Sequence, residues 1–170
     1  MRVKNPDKYE ADMRYWLMKS EPGCFSMEDL KALPESTSPW DGVRNYQARN
    51  FMRDDMKIGD RVLFYYSNCD EPGVAGLAEV ASESYADFTA FDPANQHYDP
   101  KSIPEKPIWM MVDVKYIAKF DRLVSLKEIK ADGRLSGMEL VKKGSRLSVQ
   151  PVSAEEYGII LKMAGYNEKK

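Results

Sequence analysis

The chain has 170 residues and a formal net charge of −2, with 43% hydrophobic, 11% aromatic and 31% charged positions. That balance excludes intrinsic disorder and collagen-like repeats and points to one domain with one core. No apolar run approaches the roughly 18 residues of a membrane span, and a pI near 5.6 excludes a uniformly basic nucleic-acid coat. One histidine and two cysteines cannot furnish four zinc ligands.

In chain order, residues 1–12 are polar and charged. They lack the apolar core of a secretion signal and read as a frayed arm, followed by a single domain over 13–166 and a polar tail at 167–170. Cys24 and Cys69 are expected to be reduced thiols, which fits a cytoplasmic protein, or a nuclear one in a eukaryote, with no membrane association. Tyr15-Trp-Leu-Met18 predicts a strand, broken by Pro22-Gly23. Ser26-x-x-Asp29 opens a helix over 26–33 that stops at Pro34. After the loop Trp40–Asn45, apolar residues at 48, 51, 52 and 56 give helical spacing over 46–56. Gly59-Asp60 is a turn into a strand at 61–67, whose unbroken apolar run predicts burial on both faces. A second strand at 73–81 is expected to pair with it through the 68–72 turn. Four X-Pro pairs make 82–107 an extended loop. A strand at 108–117 follows, with Met110, Val112, Val114 and Tyr116 on one face.

Ser125-x-x-Glu128, Ser136-x-x-Glu139 and Ser153-x-x-Glu156 are further helix-start patterns, the middle one weakened by Gly137. The last precedes a stripe of Tyr157, Ile160, Leu161 and Ala164 in a helix at 153–164. Arg146–Gln150 alternates as a strand ended by Pro151. Five strands among short helices, with connections too irregular for βαβ units, predict an α+β fold: a small, curved, mostly antiparallel sheet or barrel with peripheral helices. Charge is uneven, with a net −6 over 66–109 and +4 over 110–150. Such a dipolar surface fits either two solvated faces or a polyanion on one of them.

Enzymatic patterns are sparse. Nothing places Cys24 or Cys69 beside His97 as a nucleophile pair, and His97 is expected to be a loop residue with neither metal nor catalytic duty. No glycine-rich phosphate loop occurs. Glu21, Asp41 and Asp60 are candidate paired carboxylates, as in any acid-rich chain. The aromatic set Trp16, Trp40, Trp109, Tyr65 and Tyr66 suits either a core or the stacking walls of a heterocycle site. Tyr65 and Tyr66 point to opposite faces, so at most one faces a given pocket. In Trp40-Asp-Gly-Val-Arg-Asn45, backbone amides and Arg44 suit an anion such as a phosphate, while an internal salt bridge to Asp41 or another acid is the other reading of Arg44.

Several longer stretches carry a resemblance. Trp16-Leu-Met-Lys-Ser-Glu-Pro22, Trp40-Asp-Gly-Val-Arg-Asn-Tyr-Gln-Ala-Arg-Asn50, Gly59-Asp-Arg-Val-Leu-Phe-Tyr-Tyr-Ser67, Pro72-Gly-Val-Ala-Gly76, Phe91-Asp-Pro93, Tyr98-Asp-Pro-Lys101, Trp109-Met-Met-Val-Asp-Val114 and Arg146-Leu-Ser-Val-Gln-Pro-Val152 resemble the EVE domain over about Arg14 to Ala164. The resemblance implies a PUA-like barrel related to YTH domains, with a pocket for a modified base in DNA or RNA and no catalysis of its own. The implied pocket residues are Lys19, Ser20 and Glu21, then Trp40, Val43, Arg44 and Asn45, then Tyr65, Tyr66 and Ser67, and finally Arg146 and Ser148. Tyr66 stands where many relatives are expected to carry a histidine, which predicts an altered base preference.

The expected function is therefore a non-enzymatic, monomeric reader of a modified base flipped from its strand, without cofactor or metal. Trp40 with Tyr65 or Tyr66 would sandwich the base. Ser20, Asn45 or Ser67 would read its edge, and Lys19, Arg44 and Arg146 would hold phosphates. Arg44, Arg49, Arg53, Lys142, Lys143 and Arg146 are expected to converge on one rim, with the acidic loop turned away. The alternatives are an enzyme acting on a small nucleotide, with Glu21 or Asp41 as general base, and a protein-binding adaptor.

Overall fold

Trp16 and Met18 fall on one side of their strand and Leu17 on the other, and all three are buried. A strand sealed on both faces has to lie inside a sheet covered on both sides, and that requirement organises the molecule. The computed structural model describes residues 13–168, so the arm expected at 1–12 and the last two positions of the tail lie outside the described residues. The elements run β1 (Tyr15–Ser20), α1 (Met27–Ala32), β2 (Thr37–Pro39), α2 (Tyr46–Asn50, continued by a π-helical turn Phe51–Asp55), β3 (Arg61–Tyr66), β4 (Gly73–Val80), β5 (Tyr85–Ala86), β6 (Met110–Met111), β7 (Asp113–Ser125), α3 (Leu126–Ala131), β8 (Val149–Val152) and α4 (Ala154–Ala164).

Six strands form a curled sheet in the order β2-β7-β4-β3-β1-β8, and β5 and β6 form a separate two-stranded ribbon. Within the six, β1 and β3 pair in parallel, with Trp16 opposite Val62 and Met18 opposite Phe64. The other pairings are antiparallel. The architecture is thus the expected α+β one, a mostly antiparallel half-barrel, with helices packed against both faces of its sheet.

Its curl has a local cause. Register shifts fall between Phe64 and Tyr65, between Val74 and Gly76, and between Leu77 and Ala78, and bulges of this kind bend and twist a strand. Gly76 lets the backbones close up there, since a Cβ would lie 2.5 Å from the Ala118 carbonyl oxygen and 2.7 Å from the Met27 methyl.

Each face of the sheet has its own core. One gathers Trp16, Met18, Val62, Phe64 and Ala78 under α1 and α2, through Met27, Leu30, Ala48 and Met52. The other gathers Leu17, Leu63, Tyr65 and Leu77 under α3 and α4, through Ile129, Tyr157, Ile160 and Leu161. The double-sided burial expected of the 61–67 run is therefore present. Asp60, just before β3, is a deeply buried polar residue, 2% exposed. Its Oδ2 accepts the Trp16 indole N–H at 3.0 Å and the Lys57 amide at 3.0 Å, and its Oδ1 accepts the Arg14 amide at 3.2 Å. Asp60 is thus a structural acceptor that allows a tryptophan to be buried, and the paired-carboxylate reading of it falls.

Capping boxes form at Ser26/Asp29, Ser125/Glu128 and Ser153/Glu156, as the spacing predicts. The fourth pattern does not form one: Glu139 opens a 3-10 turn with no side-chain cap. Four strand expectations are also corrected. β7 runs on to Ser125 instead of ending at 117. The last strand shifts to Val149–Val152 and takes in Pro151, which is tolerated because β8 is an edge strand. β2 was not expected, and the 82–107 loop contains β5 and a 3-10 turn at Phe88–Phe91. Glu168, placed in the polar tail, docks on the fold by accepting from the Tyr157 hydroxyl at 2.7 Å and pairing with Arg61.

Two substitutions test this account. Gly76→Ala is expected to cost about 1–3 kcal/mol by forcing β4 off β7. Asp60→Ala is expected to cost about 1–3 kcal/mol by leaving the buried Trp16 N–H without an acceptor. Both are read by urea titration of intrinsic fluorescence, and a change under about 0.5 kcal/mol, the surface norm, would contradict the packing described.

Candidate functional site

The break after β1 builds one wall of a cleft. Pro22 and Gly23 turn the chain, and the amides of Cys24 and Phe25 donate to the Glu21 carbonyl at 2.9 and 2.8 Å. The Ser20 hydroxyl then donates to the Phe25 carbonyl at 2.6 Å, closing the turn. A second wall comes from the end of β2, where the Trp40 amide donates to the Val112 carbonyl at 2.8 Å. The third is the long loop after β5. Together they enclose about 540 Å³, lined by Lys19, Ser20, Glu21, Cys24 and Phe25, by Ser38 to Asp41, and by Gln96 and His97. Small-ligand sites span roughly 300–1,000 Å³.

The second and third walls are joined by one buried carboxylate. Asp87 is fully buried. Its Oδ2 accepts the Gly42 amide at 2.8 Å and Arg44 Nη1 at 2.9 Å, and its Oδ1 accepts the amide and hydroxyl of Thr89 at 2.9 and 2.5 Å. Arg44 passes the connection on, with Nε and Nη2 donating to the His97 carbonyl at 3.2 and 2.7 Å. Its guanidinium also lies 5.4 Å from the Trp109 ring centroid. Burial by itself raises the Asp87 carboxyl, but the bonds from Thr89, Gly42 and Arg44 outweigh it and hold the group below its ordinary value.

Of the twelve residues expected at the site, the cleft brings together Lys19, Ser20, Glu21 and Trp40. The Lys19 ammonium is held below its ordinary pKa by burial, partly offset by the Glu139 carboxylate. Glu21 Oε1 accepts from the Asn68 amide at 2.7 Å, and Asn68 takes a left-handed φ of 49° to deliver it. Trp40 is 8% exposed, less than expected of a stacking wall. Its ring packs edge-on against Phe64 at 5.5 Å and Phe25 at 6.4 Å, so it belongs to the core and the cleft at once.

The other eight lie outside the lining. Val43 is core. Arg44 takes its alternative reading, an internal salt bridge, with Asp87 as the acid. Asn45 caps α2 by accepting the Ala48 amide. Tyr65 is buried in the opposite core, and Tyr66 packs on the near one with its hydroxyl accepting the Met27 amide at 2.9 Å. The expected tyrosine sandwich is therefore not assembled, and Phe25 and His97 occupy the wall positions instead. Ser67 is tied by its amide to the Ser20 carbonyl, and Ser148 by its carbonyl to the Lys19 amide. Arg146 is exposed.

The expected basic rim does not form from 40–56, since Arg49 donates to the Ile108 carbonyl and to Asn50, and Arg53 pairs with Asp54. Lys142 pairs with Glu139. Nor is the acidic loop turned away, because it supplies Gln96 and His97 to the cleft. Sequence reasoning missed His97, Gln96 and Phe25. The signal for His97 was its place between two of the resembling motifs, Phe91–Pro93 and Tyr98–Lys101. Among the described residues no group of three or more His, Cys, Asp or Glu side chains is placed to hold a metal, and no helix is long and apolar enough to cross a membrane.

The curled half-barrel and its cleft define a PUA-like domain. The EVE domain model matches residues 14–163, and the chain belongs to the EVE domain family. It is 46% identical to human thymocyte nuclear protein 1 over 183 residues, covering 94% of this chain and 80% of that protein. The structure of a hypothetical protein from Leishmania major superposes with a TM-score of 0.86 at 55% identity, covering 91% of this chain and 96% of the other. Human THYN1 protein in complex with 5-methylcytosine-containing DNA superposes with a TM-score of 0.84 at 44% identity, covering 91% and 99%.

The clasp makes a pH prediction. Asp87 is depressed in the folded chain, so its contribution is complete above the unfolded value of about 3.9 and is lost as pH falls through the lower folded value. Asp87→Asn is expected to cost about 1.5–3 kcal/mol at pH 7, by weakening hydrogen bonds to a charged acceptor. The gap from wild type should narrow below about pH 4. Urea midpoints measured from pH 7 to pH 2.5 check this, and a gap independent of pH would remove the charge from the explanation.

Proposed function

We propose that the cleft receives a single modified base, flipped from a DNA or RNA strand, and that the protein reads it without chemistry. The observation that carries this is the cleft itself: a space of small-ligand size, walled by Trp40 and Phe25 and edged by Lys19, Ser20 and Glu21. It sits in a chain 44% identical to a protein whose structure holds 5-methylcytosine-containing DNA. Extruding a base costs a few kcal/mol, which contacts inside a closed pocket offset. Apolar and aromatic walls take the faces of the heterocycle. Ser20, whose proton is committed to the Phe25 carbonyl, offers lone pairs. Glu21 Oε1 accepts from the Asn68 side-chain amide, and its second carboxylate oxygen remains available as an acceptor for the base edge.

Phosphate contacts on this reading are few. Lys19 lines the cleft and Arg146 is exposed beside Ser148, whose carbonyl holds the Lys19 amide. Arg44 is committed to Asp87 and the His97 carbonyl. In a eukaryotic cell the name of the human relative supports a nuclear place of action.

The test is fluorescence anisotropy with labelled single strands that differ at one base, 5-methylcytosine or cytosine, at several salt concentrations. The modified strand should bind more tightly. Two phosphate contacts at about 0.7 each should give a log–log salt slope near −1.4. Lys19→Met and Arg146→Ala should each make the slope shallower by about 0.7. Equal affinity for both strands, or a slope unmoved by either substitution, would count against the reading.

A further inference from the structure

His97 is fixed from three directions although it sits in a long loop. Arg44 holds its carbonyl with two hydrogen bonds, at 3.2 and 2.7 Å. The Asn95 side chain accepts its amide at 2.8 Å. Gly42 lies directly under the imidazole: a Cβ there would stand 2.6 Å from both Cε1 and Nε2 and 2.9 Å from Nδ1. Gly42 also has a φ of +80°, so both the turn and the ring's position call for glycine. Nδ1 is sealed from solvent and has no hydrogen-bond partner. Its nearest acidic neighbour is Asp41 Oδ2 at 3.7 Å, too far for a hydrogen bond, on a side chain 42% exposed and so free to swing. Both residues line the cleft.

We propose that His97 is the specificity-determining residue of the cleft: oriented by Asp41, its Nε2 accepts a hydrogen bond from the exocyclic amino group of the bound base. The assignment rests on the cleft being a base site. A neutral imidazole carries one donor and one acceptor, and the partner of one nitrogen decides the role of the other. Asp41, closing by well under 1 Å, accepts a hydrogen bond from Nδ1–H and thereby satisfies the orphaned buried nitrogen. Nε2 is then an acceptor. It accepts the N–H of a 4-aminopyrimidine and sets lone pair against lone pair with a 4-oxopyrimidine. A site built on such a bond rejects the partner that lacks the donor more strongly than apolar fit alone does. Gly42 and Arg44 act as positioning residues, keeping the ring in place while Asp41 moves.

The test uses the full chain and two single strands identical except at one base, 5-methylcytosine or thymine, which share the methyl group and differ in the amino-for-oxo exchange and the ring proton that goes with it. Wild type is expected to favour 5-methylcytosine by about tenfold or more, the scale of one good base contact. His97→Ala should weaken the 5-methylcytosine strand and leave the thymine strand unchanged or tighter, since the lone pair facing its ring carbonyl is removed. Asp41→Asn, on an exposed side chain that leaves the fold intact, removes the charge pinning the proton on Nδ1 and should narrow the preference to under about threefold, with thermal melting as the control. Equal weakening of both strands by His97→Ala would make His97 a packing residue and overturn the assignment. So would an unaltered preference in Asp41→Asn, or binding of both strands by wild type without preference. Failure of wild type to bind either strand would overturn the base-site reading itself.

Discussion

The Asp87–Arg44 pair is the contact on which the cleft depends. Two loops far apart in sequence, one following β2 and one following β5, would otherwise meet only through side chains at their surfaces. Four donors converge on one fully buried carboxylate, and the arginine that neutralises it sends Nε and Nη2 to the other loop's backbone. A buried carboxylate is tolerable only when its lone pairs are filled and its charge is matched. Here that requirement also sets the spacing between Trp40-Asp41 and Gln96-His97. The positive charge that the sequence suggested for phosphate binding is used to build the site's frame.

A similar economy runs through the other polar residues near the cleft. Asn45, a plausible edge-reader by type, is a helix cap. Tyr66 braces the first amide of α1. Asn68 occupies a left-handed position to hold Glu21 still. Side chains that would be flexible on a surface loop are thus consumed in rigidifying the walls. A site assembled before its ligand arrives loses less ordering entropy on binding. The Asp41 carboxylate, the Lys19 ammonium and the exposed Gln96 side chain are not held in this way.

The sequence made the fold legible where a local rule decides the outcome. Period-two alternation separated Tyr65 from Tyr66, the double-sided burial of Val62–Tyr65 followed from an unbroken apolar run, and three serine caps marked three helix starts. It was silent where tertiary pairing overrides pattern. The second half of β7 carries Lys119, Asp121 and Arg122, so it has no apolar alternation. It is a strand because β4 bulges around it and supplies the partners. β2 has three residues and ends in proline, which only pairing with β7 makes a strand. At the site, Lys19, Ser20, Glu21 and Trp40 were legible because the strand end and the break after it are local. His97 was not, because what makes it a wall residue is a glycine and an arginine more than fifty positions away.

The parallel pairing of β1 with β3 also bears on how the chain acquires its shape. β1 is flanked by β3 on one side and by β8 on the other, so Trp16 meets Val62 first and Pro151 only much later in the chain. While the chain is emerging from the ribosome, one margin of β1 has no neighbour until residues more than 130 positions further on are available. Long-range closures of this kind slow folding, and an unpaired strand margin is where chains adhere to one another. The arrangement therefore makes the arrival of β8 the committing event, and a chain stalled before it presents an open, sticky ribbon instead of a smaller version of the finished domain.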